Sequence, residues 1–333
     1  MRFAPRALRH MATMKAGTAR QKMKMAKHEM LIDTDPGVDD AMAILMAHDR
    51  AEVVGLSVAA GNVGLAHTVA NALKLVEVLG ARTPVYAGCA APLVHASPDA
   101  ADVHGSDGFG DTGYAPSARH AESEHAALAI LRASHERAGR LVLVALAPLT
   151  NVALALKLDP SLPERVKKLV VMGGAVTGRG NYGTVPAEFN VGFDPEAAHV
   201  VFTQWPRFTL VDWEATMHHG LDFDRFETML AKGDARARFY DSITAKTRAW
   251  SRERGRPKLL IADALAMAVA LYPDIVVRAE AHHVGVELDG RITRGATVVD
   301  WQDRLGRAAN ADIVLAVDHS RFEALLASAV GAA

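Results

Sequence analysis

The chain has 333 residues, half of them hydrophobic, which suffices for one large α/β domain or two smaller ones. A formal net charge of −1 excludes a global basic field for nucleic acid, and a single cysteine, Cys89, excludes an internal disulfide and a cysteine-rich zinc site. No uninterrupted apolar stretch approaches the ~20 residues of a membrane span, and the lone cysteine fits a reducing, cytoplasmic setting.

The first 29 residues differ from the rest. They carry Arg2, Arg6, Arg9, Lys15, Arg20, Lys22, Lys24 and Lys27, with no acid before Glu29. Arg-rich, acid-poor composition is shared with mitochondrial transit peptides, but no continuous hydrophobic stretch makes this a secretory signal. A disordered basic extension over 1–29 is the expectation, with Met23, Met25 or Met30 as alternative starts.

Met30 to Ile32 is an apolar run that feeds the turn Asp33-Thr34-Asp35-Pro36-Gly37-Val38-Asp39-Asp40. The helical pattern Ala41 to Ala47 follows, so the stretch reads as strand, turn, helix. One or two aspartates at a helix start are ordinary caps. Asp35, Asp39 and Asp40, with Asp33 at the strand end, exceed what capping requires. Carboxylates that close repel one another unless a cation sits among them, and hard oxygen donors suit Ca²⁺ or Mg²⁺.

Glu52 to Ala60 is a second strand ending at Gly61-Asn62, and a helix is expected from Ala66 to Leu79. Val85 to Ala87 is a short strand. Residues 88–122 have no period, and a loop of that length inside a compact fold is usually functional or disordered. Its segment Val103-His104-Gly105-Ser106-Asp107-Gly108-Phe109-Gly110 has glycines that let backbone approach a ligand. A helix from Ser123 to Glu136 precedes Leu141–Leu146, a fully buried strand by its continuous apolar run. Pro148 to Leu158 is helical, and Leu169 to Met172 is another buried strand. A polar loop, Thr177 to Asn190, leads to a helix opening at Asp194. Phe208 to Asp212 is a strand, and 222–256 is helical and charged, suited to an outer face or a flap. A helix from Ile261 to Leu271 opens on Asp263. Strand patterns lie near Val284–Leu288, Thr297–Trp301 and Ile313–Val317, before a helix from Arg321 to Ala329.

Strands alternating with helices argue for an α/β fold, a mostly parallel open sheet covered on both faces, in a single domain from residue 30 to 333. In such a sheet the strand ends share one edge. Asp33 to Asp40, Asn62, the Leu146 carbonyl, Glu188, Asn190 and Asp263 then fall toward that edge. Singly, Asn62 reads equally as a turn residue and Asp263 as a helix cap.

These motifs together resemble the inosine–uridine-type nucleoside hydrolases. The resemblance lies in the Asp33–Asp40 turn, Ala60-Gly61-Asn62, Pro148-Leu149-Thr150-Asn151, Val171-Met172-Gly173-Gly174, Ala187-Glu188-Phe189-Asn190 and Asp194-Pro195-Glu196-Ala197-Ala198. It implies a Rossmann-like fold and a Ca²⁺-dependent hydrolase that splits ribonucleosides into base and ribose, in nucleoside salvage and catabolism. It implies calcium held by Asp35, Asp40, the Leu146 carbonyl and Asp263. Asp35 is implied as general base on a water in the calcium shell, with Asp39 and Asn190 also catalytic. Asp39, Asn62, Asn190 and Asp263 would grip the ribose hydroxyls. Asn181 and Glu188 would hold the 5′ side, and Met172 would line the sugar pocket. Relatives are usually dimers or tetramers. No nucleic-acid or membrane partner is expected beside the small-molecule ribonucleoside.

One position departs from the family pattern. Many relatives have His, and purine-specific ones Trp, just before the late Asp, for leaving-group activation. Here it is Ala262, which neither donates a proton nor stacks. His104, His218 and His219 are candidate replacements, His104 also for substrate binding, and no Trp occurs in the 100–115 loop. Two rival readings follow: a calcium protein that binds nucleosides without cleaving them, and a Mg²⁺-dependent aspartyl phosphatase built on Asp33-Thr34-Asp35. Gly37 departs from the phosphatase pattern, which also leaves Asp39, Asp40, Glu188 and Asn190 unexplained.

Overall fold

The computed structural model describes residues 28–332, so the basic extension lies almost wholly outside the described residues. The first apolar run is a central strand, β1 (Glu29–Thr34). Its side chains alternate between two cores: Met30 and Ile32 belong to one buried cluster and Leu31 to the other. That alternation is what a sheet covered on both faces imposes.

Helix α1 (Val38–Arg50) follows the turn, then β2 (Glu52–Val58), α2 (Leu65–Val78) and β3 (Val85–Ala87). The long aperiodic segment holds one short helix, α3 (Ala101–His104). It is anchored rather than loose, because Phe109 is fully buried with Tyr114 and Phe239 at ring-centroid distances of 5.6 and 5.9 Å. Helix α4 (Ala126–Glu136), β4 (Leu141–Ala145), α5 (Thr150–Leu158), α6 (Leu162–Arg165) and β5 (Lys168–Met172) complete the next crossovers. Short α7 (Phe189–Phe193) and α8 (Pro195–Gln204), capped by Asp194 as expected, lead to β6 (Phe208–Val211) and α9 (Trp213–His218).

The charged stretch at 222–256 is two helices, α10 (Phe223–Lys232) and α11 (Ala235–Glu253), broken at Gly233. Helix α12 (Ala262–Leu271) has all ten residues buried. Strand β7 (Val276–His282) was not legible as a strand. Its Val-Val-Arg-Ala-Glu-Ala-His sequence is exposed over much of its length, as suits an edge. The expected strands near 284 and 297 are β8 (Val284–Val286) and β9 (Thr297–Val299), which pair only with each other, outside the main sheet. Strand β10 (Ala311–Val317) and helix α13 (His319–Ala329) close the chain.

The main sheet has eight strands in the order β3-β2-β1-β4-β5-β6-β10-β7. Every pairing is parallel except that of β10 with β7. The chain winds outward from β1 to β3, then returns to β4 on the other side of β1. The strand order therefore reverses between β1 and β4, and a crevice opens beyond their carboxyl ends. The aspartate turn sits there. Helix α12 packs along α1. The alanines of both helices let the backbones come close, which sets Asp263, in the first turn of α12, beside Asp39 and Asp40 in the first turn of α1. Two helix amino termini thus point at one group of carboxylates, and their dipoles favour negative charge there.

Candidate active site

Asp35 leaves β1 and turns back under Asn62. The Asn62 amide donates to Asp35 Oδ2 at 2.7 Å, while the Asn62 side chain donates to the Asp35 carbonyl and to Asp40 Oδ2, both at 3.1 Å. Asp40 also accepts from Thr34 Oγ1 at 2.5 Å and from the Gly37 amide at 3.0 Å. Asp40 is therefore a helix cap as well as a cluster member. Capping does not account for the rest: Asp35 Oδ1 and Asp39 Oδ1 are buried without a hydrogen-bond partner.

Carboxylate oxygens of Asp39, Asp40 and Asp263 lie within 4.8 Å of one another. Burial, and then the neighbouring carboxylates, raise Asp35 and Asp263 well above the usual carboxylate range. Asp39 and Asp40 are raised by burial too, against the backbone amides that hold Asp39, among them those of Ala262 and Asp263. Four crowded, desolvated acids with orphaned oxygens fit a hard divalent cation, since its charge removes the repulsion and its shell takes the free oxygens. A zinc site is a poor fit because no sulfur or imidazole belongs to the group.

Asp33 supports the turn from below. Its Oδ1 accepts from Ser57 Oγ at 2.5 Å and Asn151 Nδ2 at 3.0 Å, and burial pushes its pKa up to about 7. Asn151 in turn takes the Cys89 amide at 2.8 Å.

The crevice above is a cleft of about 290 Å³. Asp39, Asn62, His104, Leu146, Met172, Asn181, Glu188, Asn190 and Asp263 all line it, whereas Asp35 and Asp40 lie behind that wall. The Leu146 carbonyl stands just past the end of β4, free of the ladder, and accepts from Asn190 Nδ2 at 2.6 Å. Asn190 also contacts the Met172 carbonyl at 3.2 Å and its sulfur at 3.4 Å. Glu188 caps α7: its Oε2 accepts from the Gly174 and Val191 amides at 2.8 and 3.1 Å, and burial raises its pKa to about 7. Asn181 is exposed on the rim and takes the Phe189 amide at 2.8 Å.

The three candidate histidines separate. His104 lies in the cleft wall, where its Nδ1 accepts from the Val38 amide at 3.2 Å. That bond leaves the ring proton on Nε2, and burial lowers the pKa to about 4, so His104 is a neutral donor rather than an acid near pH 7. His218 and His219 are not among the lining residues. His219 Nε2 instead accepts from the Val317 amide at 3.0 Å, which fixes α9 to β10. Both are discarded as leaving-group candidates.

Several lining residues are not signalled by the sequence. Trp213 reaches the cleft from α9, Thr247 and Trp250 from α11, Arg256 from the turn after it, and Tyr182 and Phe189 from the loop before and the start of α7. The 100–115 loop has no tryptophan, and Trp213 and Trp250 enter the cleft from elsewhere in the chain. Phe189 stands between two singled-out residues and was within reach. Trp250 was not, because helical periodicity does not say which outer helix folds over a sheet edge. Thr247 Oγ1 donates to the Val103 carbonyl at 2.8 Å, and Lys246 pairs with Asp111, tying α11 to the α3 loop across the cleft.

A family model described as inosine-uridine preferring nucleoside hydrolase matches residues 30–324. The pyrimidine-specific ribonucleoside hydrolase RihB of Escherichia coli (strain K12) is 32% identical over 309 residues, covering 92% of this chain and 98% of RihB. Among solved structures, an inosine-guanosine nucleoside hydrolase superposes with a TM-score of 0.85 at 34% identity, covering 91% of this chain and 98% of the other. A purine-preferring ribonucleoside hydrolase from Gardnerella vaginalis gives 0.83 at 29% identity, with 91% and 98% covered.

Proposed function

The chain belongs to the inosine-uridine preferring nucleoside hydrolase family, and from that premise we propose how its own residues hydrolyse the N-glycosidic bond of a ribonucleoside. The observation that carries the reading is the group of Asp39, Asp40 and Asp263, with Asp35 beside it, at the wall of a cleft at the strand-order reversal. The similarity over nearly the whole chain leaves the aspartyl phosphatase and the inactive binder without support of their own.

Asp35, Asp40, Asp263 and the Leu146 carbonyl would hold calcium; of these, Asp40 and Asp263 belong with Asp39 to the one close carboxylate group among the described residues, and its all-oxygen donors support a hard cation. When bound, the cation neutralises the carboxylates and supplies a charge on which sugar hydroxyls and water are oriented. Asp39, Asn62, Asn190 and Asp263 present acceptors and donors to the ribose diol. Glu188 and Asn181 serve its 5′ side, and Met172 its face.

Breaking the C1′–N bond sends its electron pair to the base and leaves positive charge on the sugar, as in other glycoside hydrolysis. The buried carboxylates stabilise that charge. A water oxygen bonds to C1′, and Asp35, whose Oδ1 has no other partner, takes its proton. The products are ribose and free base. Cytoplasmic nucleoside salvage by a dimer or tetramer is part of the same reading, supported by the single cysteine and the family.

The test is ribose release from inosine by the wild type and by Asp35→Asn. A loss of about 10²–10⁴-fold in kcat is expected for removal of a general base. A variant with wild-type kcat would remove Asp35 from that role.

A further inference from the structure

Helix α11 ends in a turn that delivers a cation to the cleft. Gly255 has φ of +65°, its amide donates to the Arg252 carbonyl at 2.9 Å, and the Arg256 amide donates to the Ser251 carbonyl at 3.0 Å. This is the paired bonding of a Schellman motif, whose positive-φ position glycine fills without strain. The turn folds Arg256 back over Trp250. Its guanidinium carbon lies 4.5 Å from the indole centroid, and that of Arg254 lies 4.1 Å away, both in cation–π range. Trp250 and Arg256 both line the cleft.

The Arg256 guanidinium is half-buried, and among the described residues it has no side-chain hydrogen bond or ion pair. Burial and Arg254 act against its charge, and Asp102 acts for it. The indole N–H of Trp250 is buried with no acceptor. A half-exposed guanidinium on a cleft wall, free of any carboxylate partner, donates to a ligand that brings acceptors. Ala262, which also lines the cleft, offers no donor.

We propose that Arg256 binds and stabilises the departing base, and that this base is a 6-oxopurine. The proposal rests on the hydrolase reading above. As the C1′–N9 bond breaks, the electron pair spreads over the purine toward N7 and O6. A guanidinium fork matches the O6–N7 edge with two hydrogen bonds, whereas adenine offers an amino donor beside N7. Arg256 keeps its proton, so it acts by electrostatic stabilisation, and the base takes its proton from water. Trp250 is a positioning residue that holds the guanidinium plane.

The experiment compares wild type, Arg256→Ala and Arg256→Lys on inosine, adenosine, cytidine and p-nitrophenyl riboside, whose leaving group needs no stabilisation. In Arg256→Ala, kcat/KM on inosine falls about 100-fold and on the aryl riboside only a few-fold. Lysine, with charge but no fork, restores part of the loss. The wild-type preference for inosine over adenosine and cytidine collapses in the alanine variant. Equal losses on inosine and the aryl riboside, or a base preference untouched by the substitution, overturn the proposal. A wild type that cleaves no riboside, with calcium supplied, overturns the hydrolase reading itself.

Discussion

Asn62 fixes Asp35 by two independent bonds, one from its amide to Oδ2 and one from its side chain to the Asp35 carbonyl, and so leaves Oδ1 as the free oxygen. The same side chain reaches Asp40 Oδ2 at 3.1 Å, which couples two cluster carboxylates through one amide. Asn62→Ala keeps the backbone bond and loses the bridge. Calcium affinity, measured by titration of chelator-treated protein, is expected to fall about 10–100-fold, as for other groups that orient metal ligands. Unchanged affinity would mean that the bridge orients nothing.

Gly61 leaves no room for a side chain beside Asp35. A Cβ there would lie 2.0 Å from Asp35 Oδ2 and 2.9 Å from Pro148 Cδ. Its φ is not positive, so space alone demands glycine. Gly61→Ala pushes the carboxylate off its position, and a displacement of about 1 Å is expected to lower kcat by about 100-fold. Circular dichroism should show the fold kept. Wild-type kcat in this variant would contradict the placement of Asp35.

Asn151 is a stability residue. Removing its amide leaves buried Asp33 with the Ser57 hydroxyl alone and also frees the Cys89 amide. Asn151→Ala is expected to lower stability by about 1–3 kcal/mol, read as a lower urea midpoint at constant slope. A midpoint equal to that of the wild type would show that water replaces the amide.

Glu188 and Asp212 set a pH dependence. Burial raises their pKa values to about 7 and about 6, against ordinary values of about 4 in the unfolded chain. The folded state therefore holds these protons more tightly than the unfolded state. Their contribution is complete below about pH 4 and is lost as pH rises through 6 to 7. His104 and His219, lowered to about 4, act oppositely but only below about pH 6.5. Asp33, raised to about 7, and the raised carboxyls of Asp35 and Asp263 act in the same direction, so chelator-treated protein should lose Tm from about pH 6.5 to 8, and Glu188→Gln should reduce that loss. A loss of unchanged size in Glu188→Gln would mean that this carboxyl is not held protonated by the fold.

The aspartate turn was legible because apolar flanks framed it as strand, turn and helix, a local pattern. Asn62, Glu188 and Asn190 followed from parallel-sheet logic, which gathers strand ends on one edge. Asp263 required more: its position depends on α12 packing along α1, which the alanine-rich sequences permit but do not announce. The Arg256 turn left only a Gly between charged residues, and nothing in helical periodicity aims it at the cleft. Strand β7 was hidden because an exposed edge strand carries charge where a buried strand carries apolar residues. The pairing of β8 with β9 outside the sheet is tertiary in origin, as short strand patterns do not name their partners.

The most direct measurement is release of ribose from inosine, uridine, adenosine, guanosine and cytidine, with the metal stripped by a chelator and then returned as calcium or magnesium. A calcium-loaded carboxylate cluster that hydrolyses nucleosides predicts ribose and free base from at least one of them, loss of release on chelation and recovery with calcium. Release that persists in the fully stripped protein, or none from any nucleoside with calcium present and the protein folded, would contradict it.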